Sequence, residues 1–345
     1  MEETAPARPA GGEAAGDRRW LVAFWAVVVA FAVVAVLGSV RAGVPIRDPG
    51  GVWFTRRILV SIALFALLAL VDAYRRTDAG ERSVRRTVEV LRARWPRRRL
   101  LLAGTGLTGY WVVYSSYRNL KSWVAFEEPQ DAMLLRWDRW LFLGHSPAGL
   151  LHDLLGVQLS AYVLIAIYQS FTTLVRLAVV AAVVFPTRVK DGYVFLASAA
   201  WVWILGVGSY YLIPSLGPFT SDPGQFADLP PTIVTETQTR FLAERAAFLA
   251  DPGAAGALNQ VSAFASLHVA VTCMMLLMAR YYGLRWTSRF MTVFLIGTVL
   301  ATVYVGWHFV VDDVAGLVIA VVSVALGRWM VDGVRPGRGR ASPSS

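Results

Sequence analysis

The chain has 345 residues, 56% of them hydrophobic and only 16% charged, with a net charge of +10. That composition excludes an ordinary soluble enzyme built from short amphipathic elements, and a single cysteine, Cys273, excludes a disulfide framework or a cysteine metal cluster within the chain. The basic excess falls in arginine clusters beside apolar runs, so it points to membrane topology and anionic lipid, not to nucleic acid.

Residues 1–19 open with an Ala/Gly/Pro/Glu-rich stretch and are expected to be a disordered N-terminus. Trp20–Val40 follows an arginine pair but is too long for a signal peptide, so it is read as a retained first span. Trp53–Tyr74 is the second span. The basic segment Arg75–Arg99 follows, as an amphipathic surface helix or a solvated loop. Residues 20–99 thus hold two transmembrane helices and a basic cytoplasmic segment. Leu100–Tyr117 is the third span, followed by Arg118-Asn-Leu-Lys121. In Ala125–Val157, apolar residues recur at helical spacing among charges, which predicts an amphipathic helix at the interface. Ser160–Phe185 is ended by Pro186 and Gly192–Ile213 by the Pro214-Ser-Leu-Gly-Pro218 loop. After a surface helix over Thr235–Leu249 come the last three spans, Ala265–Tyr282, Arg289–Gly306 and Phe309–Met330. Residues 331–345 are expected to be a disordered tail.

The fold class is therefore all-α: a polytopic membrane helix bundle of about eight transmembrane helices. Placing Arg75–Arg99 in the cytoplasm also puts there Arg188 with Lys190, the Arg280–Arg289 turn and both termini, as the positive-inside rule requires. Only the Arg41–Arg57 loop runs against it, and Arg56-Arg57 can snorkel. Arg118, Lys121, Pro214–Pro218, Ser266, His268 and His308 then share the extracytoplasmic level, with Asp312 one turn deeper. Polar groups converging at one membrane depth mark a candidate site. High Ala/Arg/Val usage fits a GC-rich bacterium, hence a bacterial plasma membrane.

Two motifs carry the chemistry, Phe264-Ala-Ser-Leu-His268 and His308-Phe-Val-Val-Asp312. If helical order begins at His308, Asp312 lies on the same face and can orient the imidazole, leaving the other ring nitrogen free to attack. The alternative is a helix-start histidine merely satisfied by an acid. Asp313 is the second choice of acid. His268 can protonate a leaving alkoxide or deprotonate an alcohol. Ser266 is either an anion-holding hydroxyl or a plain N-cap. Arg118 and Lys121 are either interfacial anchors or the cations that neutralise a phosphoryl group. Arg176 sits mid-span with no partner assignable from sequence. His145 and His152 are read as surface residues. A metal site of His268, His308 and Asp312 would have only three ligands, so no metal or organic cofactor is expected.

These motifs resemble the type 2 phosphatidic acid phosphatase superfamily, and most closely the inositol phosphorylceramide synthase-like subgroup. Phe264–His268 matches the Ser-x-His motif and His308–Asp312 the His-x-x-x-Asp motif. Tyr210-Tyr-Leu-Ile-Pro214-Ser-Leu-Gly-Pro218 resembles the Pro-containing motif of the synthases. The likeness runs from about Leu100 to Met330 and implies a six-helix catalytic core over residues 100–330, with the first two spans additional to it. It implies a phospholipid donor, a lipid or polyol alcohol acceptor, and a phosphohistidine on His308 oriented by Asp312. His268 would serve as acid and then base, and Ser266 and nearby cations would hold phosphate. The classical pattern has Arg where this chain has Glu128, Ser-Arg where it has Ala301-Thr302, and Gly where it has Leu267. The expected function is an integral membrane lipid phosphotransferase. The alternatives are a lipid phosphate phosphatase with water as acceptor and a non-catalytic lipid-binding protein. An intramembrane serine protease lacks the glycine-rich nucleophile loop it would need.

Overall fold

The computed structural model describes residues 19–48 and 51–333. The N-terminus and tail expected to be disordered lie outside these residues, except that Arg19 opens the first helix and Val331 and Asp332 close the last. Among the described residues there are thirteen α-helices and no strand: α1 (Arg19–Ala42), α2 (Val52–Arg76), α3 (Val84–Arg94), α4 (Arg97–Trp123), α5 (Asp131–Leu141), α6 (Pro147–Leu155), α7 (Leu159–Val184), α8 (Val189–Leu212), α9 (Pro218–Ser221), α10 (Ile233–Ala250), α11 (Leu267–Tyr281), α12 (Arg285–Tyr304) and α13 (Val310–Asp332).

Local chemistry sets the boundaries. Ser83 and Ser146 accept backbone N–H bonds from Arg86 and Gly149 and so start α3 and α6. Pro186 and Pro214 follow the ends of α7 and α8, and Gly333, in the left-handed region at φ 73°, ends α13. The basic segment resolves into α3, and the mixed segment into α5 and α6. The third span is longer than expected: α4 runs on through Arg118 and Lys121, because neither Gly nor Pro interrupts it there.

Six helices, α1, α2, α7, α8, α12 and α13, are long and apolar enough to cross a membrane. Of the eight expected spans, α4 and α11 do not meet that measure. The first is diluted by Gly, Thr, Ser and Asn, and the second has only 15 residues. Both still pack inside the bundle, α4 between α1 and α8, and α11 against α8, α12 and α13. The core helix is α8, whose apolar stretch is 78% buried, against 22% for α1 and 11% for α2. The last two turn Val22, Leu37, Leu59 and other apolar side chains outward, as a lipid-facing surface does. The chain is an integral membrane helical bundle.

The short α11 makes the recess that holds the site. At one end it is level with the start of α8, where the Tyr282 hydroxyl donates to the Asp191 carbonyl. At the other it stops early: Leu267 packs against Gly206, six residues before α8 ends, or about 9 Å of helix. The chain entering α11 fills the space above. Its backbone is satisfied there, with Ala263 N–H on the Ser215 carbonyl, Phe264 N–H on Ser215 Oγ and Ala265 N–H on Ser209 Oγ.

Candidate active site

At the recess, α11 and α13 approach at backbone distance. A Cβ on Gly316 would stand 2.4 Å from the Ser266 carbonyl oxygen, and the Ser266 N–H donates to the Asp312 carbonyl at 3.0 Å. This contact brings the two histidine motifs together. The imidazole centroids of His268 and His308 are 6.0 Å apart. Both rings line one cavity of about 200 Å³, and Lys121 of α4 and Tyr168 and Phe171 of α7 line it too. Tyr168 stacks on His268 at 4.4 Å and Phe171 tilts against it at 4.5 Å, so the imidazole is held between rings. Phe241 of α10 and the segment Gln260–Ser262 close the cavity from above.

His308 is not part of α13. Phe309 is extended at ψ 156° and the helix starts at Val310, so the expected sharing of one helical face does not operate. The contact with Asp312 comes instead from the turn folding back: His308 Nδ1 lies 3.5 Å from Asp312 Oδ2, which accepts the Phe309 N–H at 2.9 Å. His308 Nδ1 and Asp312 Oδ1 are buried and make no hydrogen bond among the described residues. Asp313 turns away to accept the Thr302 hydroxyl at 3.0 Å.

The remaining expected site residues separate. Ser266 is fully buried, accepts the Val269 N–H as an N-cap does, and also hydrogen-bonds the Asp313 side chain. Lys121 faces the cavity, with Nζ 5.6 Å from the Tyr210 ring. Arg118 does not line it; its guanidinium lies 4.1 Å over Trp53 of α2. His152 contacts the Tyr304 carbonyl through Nε2, and His145 is exposed.

Two residues of the site's frame were not singled out in the sequence. Asp131 and Asp138, both buried on α5, act as backbone clamps. Asp131 accepts from Leu216 and Gly217 N–H, fixing the Pro214–Pro218 loop. Asp138 accepts from Val310 at 2.8 Å and Val311 at 3.1 Å, capping α13 next to His308. The loop then lies on the histidine turn, where Phe219 N–H meets the Gly306 carbonyl. Gly217, at φ 109°, passes so close that a Cβ would sit 2.6 Å from the Trp307 carbonyl oxygen. Burial pushes both carboxyls above their ordinary range, and the backbone N–H bonds they accept pull the other way. The signal was available: Asp131, Leu134 and Asp138 share one face, and acids on the apolar stripe of an amphipathic helix need buried partners.

Removing the Asp138 clamp in Asp138→Ala should cost about 1–2 kcal/mol of stability and lower turnover more than it alters donor KM. Asp138→Asn, which keeps one acceptor oxygen, should recover part of both. Thermal unfolding with steady-state kinetics checks this, and an unaltered Ala variant would remove Asp138 from the frame.

The sequence matches the family model described as PAP2 superfamily over residues 132–326, more than half of the chain. The chain belongs to the PAP2 superfamily. No curated protein and no solved structure matches it. The PAP2 match begins in α5 and ends in α13, so both histidine motifs lie within it. The helices α1–α4, with Arg118 and Lys121, lie outside it. PAP2 members are generally phosphatases or phosphotransferases, and the match does not distinguish a subgroup.

Proposed function

We propose that this chain is a membrane lipid phosphotransferase that moves a phosphoryl or phospho-head group from a phospholipid to an alcohol, through a phosphohistidine on His308. The observation that carries the reading is the pair of imidazoles, 6.0 Å apart, in one recessed cavity with Lys121. With Nδ1 toward Asp312, Nε2 is the nitrogen that attacks phosphorus. The P–O bond to the leaving group breaks as N–P forms, and His268 gives its proton to the departing alkoxide. His268 then takes the proton of the acceptor alcohol, whose oxygen displaces His308 from phosphorus. Lys121 supplies positive charge to the phosphoryl oxygens. Asp312 holds the imidazole and stabilises its cationic form.

The reading of transfer over hydrolysis rests on the small, recessed cavity, whose mixed lining includes Phe241, Trp307, Val261 and Leu216 and limits the entry of bulk water. The likeness of the Tyr210–Pro218 segment to the synthase motif favours the inositol phosphorylceramide synthase-like subgroup. The positive-inside count supports a site at the extracytoplasmic face with both termini in the cytoplasm, and the extent of the resemblance supports two extra helices before a six-helix core.

The test is trapping. Purified protein is pulsed with phospholipids labelled at the phosphate and quenched in alkali. An acid-labile, alkali-stable label should appear on the wild type and be missing from His308→Ala. Turnover by a wild type that never carries label, even in rapid quench, would rule the covalent route out.

A further inference from the structure

Arg57 of α2, Arg118 of α4 and Arg176 of α7 come together away from the histidines. The guanidinium carbons of Arg57 and Arg118 each lie 4.1 Å from the centroid of the Trp53 ring. Arg57 is also within 5.4 Å of Trp111 and 5.3 Å of Tyr114. Arg57 and Arg176, with Arg56, Ser61, Trp53 and Trp111, line a cavity of about 190 Å³. The charged and titratable groups acting on Arg57 are Arg118, Arg176, Tyr114 and Tyr110, and no carboxylate is among them. Among the described residues, none of these arginines forms an ion pair. Other half-buried arginines do find oxygen partners: Arg94 reaches Asp72 at 2.8 Å, Arg47 the Pro252 carbonyl at 2.6 Å and Arg245 the Ala125 carbonyl at 3.1 Å.

Depth follows from the helices. Arg118 precedes Lys121 by three residues on a helix that ends at the site, and Arg176 follows Phe171 by five on a helix that runs on inward past it. The cluster is therefore about 5–8 Å deeper than the catalytic level. It lies on the flank where α2 packs on α7, and α2 is the least buried of the six apolar helices. Three like charges in low dielectric repel, and ring contacts offset only part of that cost. A phosphate accepting from planar guanidinium forks supplies what the cluster lacks.

We propose that Arg57, Arg118 and Arg176 form a second anion site, which holds the phosphate group of a membrane phospholipid against the α2–α7 flank. Two of its three arginines lie outside the PAP2 match. The site is a binding site only and does not depend on the chemistry of His308.

The experiment uses the full chain in detergent with phosphatidylglycerol as probe. Lipid retention is read by native mass spectrometry and stabilisation by thermal unfolding. Wild type and His308→Ala should both retain the lipid and melt higher with it. Arg57→Gln and Arg176→Gln should retain about tenfold less and gain no stability from it. Displacement by inorganic phosphate would assign the site to the free anion; retention in its presence assigns it to the lipid. If the Gln variants do not fold, Arg57→Lys and Arg176→Lys, which keep charge but lose the fork, should show weakened retention. Equal retention by wild type and the variants that fold overturns the proposal.

Discussion

His308→Ala should lower both lipid transfer and lipid hydrolysis by about 10⁵ to 10⁶-fold, the scale on which loss of a catalytic nucleophile is felt. Both reactions should fall together, because both pass through one phosphorus–nitrogen bond. A second consequence follows from the shared intermediate. Once the donor's alkoxide has left, the protein carries the same group whatever the donor was, so the wild-type ratio of transfer to hydrolysis should not change with the donor's leaving group. A ratio that varies between donors delivering the same group would mean that acceptor and donor react directly. His308 would then be a binding residue, and its removal should cost far less. The measurement is a single assay with free phosphate and new phospholipid counted in parallel. Unfolding curves must accompany it, since the imidazole is 5% exposed and its loss leaves a hole beside the α13 cap.

Much of this arrangement can be read from the residues. Apolar runs bounded by proline or glycine locate the long helices, since a bilayer allows few alternatives to a helix. The two histidine motifs reveal the chemistry because each stands at an end of such a run. Relations between segments are harder to read. His308 and Asp312 meet, but through an extended Phe309 and a folded turn, which residue spacing cannot distinguish from a shared helical face. Arg118 and Lys121 are three residues apart, yet one reaches Trp53 and the other the cavity. Positions i and i+3 differ by about 60° around a helix, and at a boundary between two neighbours that offset separates their surroundings. Ser266 shows another case: the hydroxyl of a family motif accepts the Val269 N–H of its own helix and also meets the Asp313 side chain. The α5 carboxylates are the largest omission. Their partners are backbone N–H groups at Leu216, Gly217, Val310 and Val311, far along the chain and without any side-chain signature.

His268→Ala should cost about 10² to 10⁴-fold on a lipid donor, the range of a general acid or base, and the loss should depend on the leaving group. A lipid alkoxide is a poor leaving group and needs the proton that His268 provides. A nitrophenolate is far less basic and departs without one. With a nitrophenyl phosphate ester as donor, the variant should regain most of its rate of phosphorylation at His308. The second half-reaction still lacks its base, so phosphoenzyme should accumulate and nitrophenol should appear as a burst followed by slow turnover. His308→Ala should show neither burst nor recovery with the same donor, which separates the two histidines by role and not merely by size of effect. Equal losses on both donors would mean that His268 only shapes the cavity. Its setting argues against a shaping role: Tyr168 and Phe171 already fill the space around the ring at 4.4 and 4.5 Å, and a filler would not need to be an imidazole. Rings packed against it restrain the plane of His268, and its centroid lies 6.0 Å from that of His308, a separation at which a phosphorus can stand between the two imidazoles.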